Sequence, residues 1–182
     1  MQIARRILLF LALFGVAGCG FQPLYGDNSA ASSVDLSRVR IAAIQDQYDP
    51  TGNVVSTARS GQQLRNYLLD HVTPRGRTAA AMYELQVTLR ESRTTLGIRS
   101  DESATRGTLT MTARYSLVRL DNSAVMMNSA TRSDVSYNIL RDEFATLSAE
   151  NDARRRATRE IGDTISLDVA NAVSAWREGV VK

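Results

Sequence analysis

Almost everything a catalytic centre is built from is scarce in this chain. It holds one cysteine, Cys19, one histidine, His71, and one tryptophan, Trp176. A structural zinc site takes four nitrogen or sulfur donors at close spacing, and no His/Cys/Asp cluster supplies them. There is no GxSxG elbow, no Walker loop and no GxGxxG turn. His71 stands beside Asp70 at the end of a helical pattern and reads as solvated or structural, so no general base is assigned. The acidic pairs Asp101-Glu102 and Asp142-Glu143 are neighbours in sequence, do not share a helix face, and read as surface charge. The expectation is a protein without enzymatic activity, metal or cofactor. Lysine is also nearly absent: Lys182 is the only one. With one cysteine no intrachain disulfide is possible, so the fold must rest on its core.

The first residues explain the lone cysteine. Arg5 and Arg6 precede the apolar run Ile7 to Phe14, and Gly15-Val-Ala-Gly18 leads to Cys19. A positive n-region, a short apolar h-region and small residues before a cut site make a secretory signal. The run falls short of the ~20 residues that span a bilayer. Val16-Ala-Gly-Cys19 has the form of a lipobox, at which the cysteine is acylated and the chain cleaved before it. The expected segments are a signal peptide over 1–18, a lipidated tether over 19–33, and a single domain over 34–182. Losing Arg5 and Arg6 lowers Lys+Arg from 22 to 20, against 19 Asp+Glu, so the net charge falls from +3 to +1. A near-neutral chain argues against nucleic acid as a partner.

Periodicity then orders the domain. Val39 and Ile41 alternate with Arg38 and Arg40, predicting a first strand within Val34 to Ile44. Asp49-Pro50-Thr-Gly-Asn53 is a turn. Leu64, Leu68 and Val72 recur at helical spacing, with Ser60 placed to cap a helix over about 61–72 and Pro74 to end it. Tyr83, Leu85, Val87 and Leu89 face one way on the cleanest strand, whose pattern decays after Glu91. Leu109 to Leu117 and Val125 to Ile139 read as two more strands, joined through Asp121-Asn122. From about Ala145 to Trp176 the period is helical, with Ile161, Ile165, Val169, Ala172, Val173 and Trp176 in one stripe. The predicted fold class is α+β: a two-layer sandwich, a four-stranded mostly antiparallel sheet with two helices on one face, in the order βαβββα.

Arginine carries the positive charge. The run Arg154-Arg155-Arg156 with Arg159 reads as a solvated helix start, because Asp152, Glu160 and Asp163 stand at pairing distance. Strand phase places Arg40, Arg90, Arg114 and Arg132 on the polar side of the sheet. Guanidinium groups suit bidentate contact with phosphate, so these four are candidate contacts for a phosphorylated glycolipid. A plain solvated face, carrying Glu84 and Asp134 as well, accounts for the same pattern, and G+C-rich coding accounts equally for the preference for arginine.

Several segments resemble one family. Cys19-Gly-Phe-Gln-Pro-Leu-Tyr-Gly26 is similar to the mature start of LptE, the lipopolysaccharide-assembly lipoproteins. Leu64-Arg-Asn-Tyr-Leu68 before Pro74, Tyr83 to Leu89, Ser136-Tyr-Asn138, Phe144 to Glu150 and Asp152 to Arg156 resemble later parts of it. The resemblance implies two helices on a four-stranded sheet. It also implies a lipid-anchored outer-membrane protein that plugs an LptD-like β-barrel, aids its assembly, and contributes to lipopolysaccharide insertion in the outer leaflet. Gly20 after Cys19, in place of an aspartate, fits outer-membrane sorting. Only Cys19 carries over as a family residue; the arginines rest on strand phase. The competing expectation is a glycolipid-binding or carrying lipoprotein with no barrel partner.

Overall fold

The computed structural model describes residues 36–46, 58–73, 80–98 and 104–177. The expected signal peptide, Cys19 and tether lie outside the described residues. The elements are β1 (Val39–Ile41), β2 (Gln45–Asp46), α1 (Ala58–Val72), β3 (Tyr83–Ile98), β4 (Ala104–Arg119), β5 (Val125–Asn138) and α2 (Glu143–Arg177). The predicted α+β class and the order βαβββα hold, with the two-residue β2 as an addition. The sheet runs β1-β3-β4-β5, and β2 also pairs with β3. β1 and β2 are parallel to β3, while β3, β4 and β5 are mutually antiparallel.

Alternation drives the strands. Leu85, Val87 and Leu89 of β3 are buried, as are Leu109, Met111, Ala113, Tyr115 and Leu117 of β4 and Val135 and Tyr137 of β5. All point to one face, which α1 closes with Leu64, Leu68 and Val72 and α2 with Ile161, Ile165, Val169 and Val173. Ala153 and Ala157 extend the α2 stripe toward its N-terminus, where small side chains let the helix lie close to the sheet.

Three expectations change. The first strand is interrupted: after Ile41 the alternation is lost, and Ile44 packs at the edge of the core beside Gly61 of α1. β3 does not end near Glu91. It continues through polar residues because its backbone stays paired with β4 as far as Ile98 and Ala104, and a ladder does not require an apolar face. Ser60 is not a cap; it lies inside α1, is 1 % exposed, and its hydroxyl donates to Glu91 at 2.9 Å.

The β4–β5 turn is tight. Arg119 N–H donates to the Ala124 carbonyl at 2.9 Å, and Asn122 Oδ1 accepts from Ala124 N–H at 3.1 Å. Ser123 takes the left-handed conformation, φ 56°. The pairing slips by one residue at Leu117/Val118, a bulge beside the turn. At the other end Asp142 caps α2, accepting from Phe144 N–H at 2.9 Å. The domain is therefore elongated. The 35 residues of α2 run ~52 Å at helical rise, matching 16-residue strands of ~53 Å. The chain enters through Leu36 at the end that holds the β4–β5 turn, because Arg38 and Met82 meet there and Met82 accepts from Leu120 N–H at 2.9 Å.

Candidate binding face

The helices cover one face of the sheet. On the other, register fixes where each arginine falls. Arg90 stands opposite Thr112, which stands opposite Arg132, so both arginines share one row across β3, β4 and β5. Arg114 lies in an adjacent row, between Thr88 and Ala130. Arg90, Arg114 and Arg132, with Ser92, Thr94, Thr110 and Thr112, line a shallow concavity of about 290 Å³. Three of the four predicted arginines are thus brought together by the pleat alone.

Arg40 is not among them. It is six β3 positions from the Arg90 row, ~20 Å away at strand rise, and pairs with Glu84. The hydrogen bond from Gln86, and then that from Arg40, hold the Glu84 carboxyl below its ordinary range. Arg132 is partnered as well: its Nε and Nη2 reach Asp134 at 2.8 and 2.9 Å. Asp134 also accepts from Thr110, and these bonds, Arg132 first, lower its pKa. Arg114 makes no ion pair among the described residues. The concavity therefore presents hydroxyls and guanidinium groups, with the Asp134 carboxylate at its rim. Its chemistry suits a sugar bearing anionic oxygens.

Arg154 departs from expectation. It does not sit in solvent but turns inward: its side chain is 11 % exposed and bonds Glu91 and Glu150. Arg155, Arg156 and Arg159 are exposed as expected, Arg155 and Arg156 pairing with Asp152 and lowering its pKa, Arg156 most. Sequence reasoning missed this network, which draws in Ser60, Arg93 and Asn151 as well. The signal was available, since Glu91 continues the inward phase of Tyr83 to Leu89. His71 plays the structural part expected of it. Its ring stacks on Tyr67 at 3.9 Å, and Nδ1–H donates to the Tyr67 carbonyl at 2.8 Å.

The fold is a two-layer sandwich whose apolar side chains close on one another, with arginines gathered on its outer face. The chain belongs to the LptE lipopolysaccharide-assembly family, whose profile matches residues 36–169. Solved structures share the fold. A structure from Caulobacter crescentus with a lipoprotein designation is similar at TM-score 0.60 and 25% identity, over 80% of this chain and 97% of that one. Rare lipoprotein B from Shewanella oneidensis is similar at 0.53 and 11%, over 76% and 99%. A minor lipoprotein from Acinetobacter baumannii is similar at 0.50 and 13%, over 75% and 94%. No curated protein sequence matches. Among the described residues, no helix is long and apolar enough to cross a membrane.

Proposed function

We propose that this chain is a non-enzymatic outer-membrane lipoprotein, acylated at Cys19, that plugs an LptD-like β-barrel and serves lipopolysaccharide insertion through it. Membership of a lipopolysaccharide-assembly family supports the pathway. The observation that carries the plug reading is the outer sheet face, mostly polar among the described residues and left uncovered by the domain's own helices. A barrel lumen is polar, and a body held in one needs a polar surface. The arginine concavity lies on that face, so it meets either barrel wall or the phosphorylated head of lipopolysaccharide. A carrier without a barrel is less well supported: acyl chains need an apolar cavity, and the inward side chains here pack against each other.

The test is an affinity pull-down from detergent-solubilised envelopes, with bound proteins identified by mass spectrometry. A large β-barrel at one-to-one stoichiometry is the expected result. Lipopolysaccharide retained alone turns the reading toward the carrier.

A further inference from the structure

α2 is continuous in its backbone and divided in its packing. From Ala153 onward every fourth residue is buried: Ala153, Ala157, Ile161, Ile165, Val169 and Val173. Before that point none of the ten residues Glu143 to Asp152 is buried. Phe144 is 78 % and Leu147 52 % exposed, so their apolar area is not spent on the core. Ala149 alone in this segment packs at the margin of the core. A groove of about 310 Å³ separates Ala149 and Asp152 on the helix from Arg106, Tyr137 and Asn138 on the strands. Among the described residues, one ion pair joins the segment to the sheet, Glu150 to Arg93 at 3.1 Å. The other fastening is the Asp142 cap. Ten helical residues are too few to hold their own fold in water. A segment with few buried apolar contacts opens at a lower free energy than the core it adjoins.

The geometry points to a strap: Glu143 to Asp152 opens as one unit while the rest of α2 stays docked. The hinge is at Ala153, the first side chain that the core holds. Closed, Glu150 latches the strap to Arg93 of β3. Open, the strap uncovers Tyr137 and the end of β5, which now form the far wall of the groove. The motion is a property of the domain alone and stands whether or not the chain plugs a barrel. For a plug, it makes one end adjustable within the lumen while the core stays intact.

Amide hydrogen exchange on the full chain in detergent, read residue by residue, tests this. The first helical bond runs from Thr146 N–H to the Asp142 carbonyl at 3.1 Å, so the amides of Thr146 to Asp152 report on the strap. They are expected to share one protection factor, about a hundredfold or more below that of Ala157 to Val173. Asp142→Ala removes the cap and should speed their exchange about fivefold, equally along the whole segment. Glu150→Gln, which removes the latch, should act in the same direction, by up to about fivefold. Ala149→Leu places apolar volume in the groove and should slow exchange, a sign that general damage to the fold cannot produce. Amides of Ala157 to Val173 should not respond to any of the three. Protection of Thr146 to Asp152 equal to that of Ala157 to Val173 overturns the strap. So does protection that climbs steadily from Thr146 to Asp152, with the Asp142→Ala effect confined to the first turn, since that is end fraying. Faster exchange in Ala149→Leu overturns the closed position over the groove.

Discussion

Glu91 and Arg154 lie 63 positions apart and meet through three hydrogen bonds, from Nε at 3.1 and 3.2 Å and from Nη2 at 3.0 Å. The Glu91 side chain is fully shielded from solvent. The pair fastens the middle of β3 to α2, and the Ser60 hydroxyl adds α1 to the same carboxylate. A buried ion pair gains little over apolar residues of equal size, yet removing one partner leaves a charge with nothing to balance it.

Arg154→Ala is therefore expected to destabilise the domain by about 3 kcal/mol, while Arg155→Ala, at the solvent-facing pair next to it, changes stability by less than about 0.5 kcal/mol. Urea unfolding midpoints separate the two. The double variant Glu91→Leu/Arg154→Met regains most of the loss, since neither charge is then buried alone. Equal effects of the two single variants would show that the Glu91 pair is in effect solvated.

This pair also marks where sequence reading reached and where it stopped. Period-two patterns placed β3, β4 and β5 and their inward faces correctly, because side-chain alternation is a local property of the chain. Register is not local, yet the outward phase was enough to bring Arg90, Arg114 and Arg132 onto one face. It places Arg40 on that face too, beside Glu84, but not its distance from the others, which depends on how β1 pairs with β3. In the sequence, Glu91 stands only as the point where the β3 pattern decays, and Arg154 is read through the nearby Asp152, Glu160 and Asp163; neither reading uses phase. Glu91 is inward by count, and Arg154 stands one position after Ala153, beside the inward-facing stripe of Ala153 and Ala157. An acidic residue at an inward strand position requires a buried cation, and only tertiary packing names which arginine answers.

Gly162 shows the same limit. Inside α2 it costs ~1 kcal/mol of helix propensity against alanine, and the sequence offers no return. In the fold, a Cβ at this position would stand 2.4 Å from Cδ1 of Tyr67. That ring cannot easily yield, because its hydroxyl donates to Asp163 at 2.7 Å and its face stacks on His71. Gly162→Ala is expected to lower stability by about 1–2 kcal/mol, the overpacking cost exceeding the propensity gain. In a Tyr67→Ala background the same substitution should stabilise. Thermal melts of the four-member cycle check the change of sign.

Tyr115 ties β4 to α2 through a hydrogen bond to Asp168. Burial first, and the Asp168 carboxylate second, push its phenol up to about 12. An unfolded tyrosine ionises near ~10, so between these values the unfolded chain binds fewer protons than the folded one. The stabilisation is fully present below pH ~10 and is lost as pH rises toward ~12, at about 1 kcal/mol per pH unit. Tyr115→Phe removes this group and should flatten the alkaline slope of unfolding free energy relative to the parent. Parallel slopes in denaturant titrations across that range would show that Tyr115 ionises as freely in the fold as out of it.

The arginine concavity makes predictions of opposite sign. Arg114 has no carboxylate partner among the described residues, whereas Arg132 is held by Asp134. If phosphorylated glycolipid binds here, Arg114→Ala removes a charge-assisted hydrogen bond and should weaken binding about tenfold. Asp134→Asn releases the Arg132 guanidinium and removes the negative charge at the rim, so it should strengthen binding. Both positions are exposed, so unfolding midpoints should move little. Surface plasmon resonance on immobilised lipopolysaccharide, at two salt concentrations, reads both variants against the parent. An unchanged affinity in both, with altered recovery of the β-barrel on pull-down, would assign the face to the barrel wall. The sign of Asp134→Asn discriminates, because a general loss of fold can weaken binding but cannot tighten it.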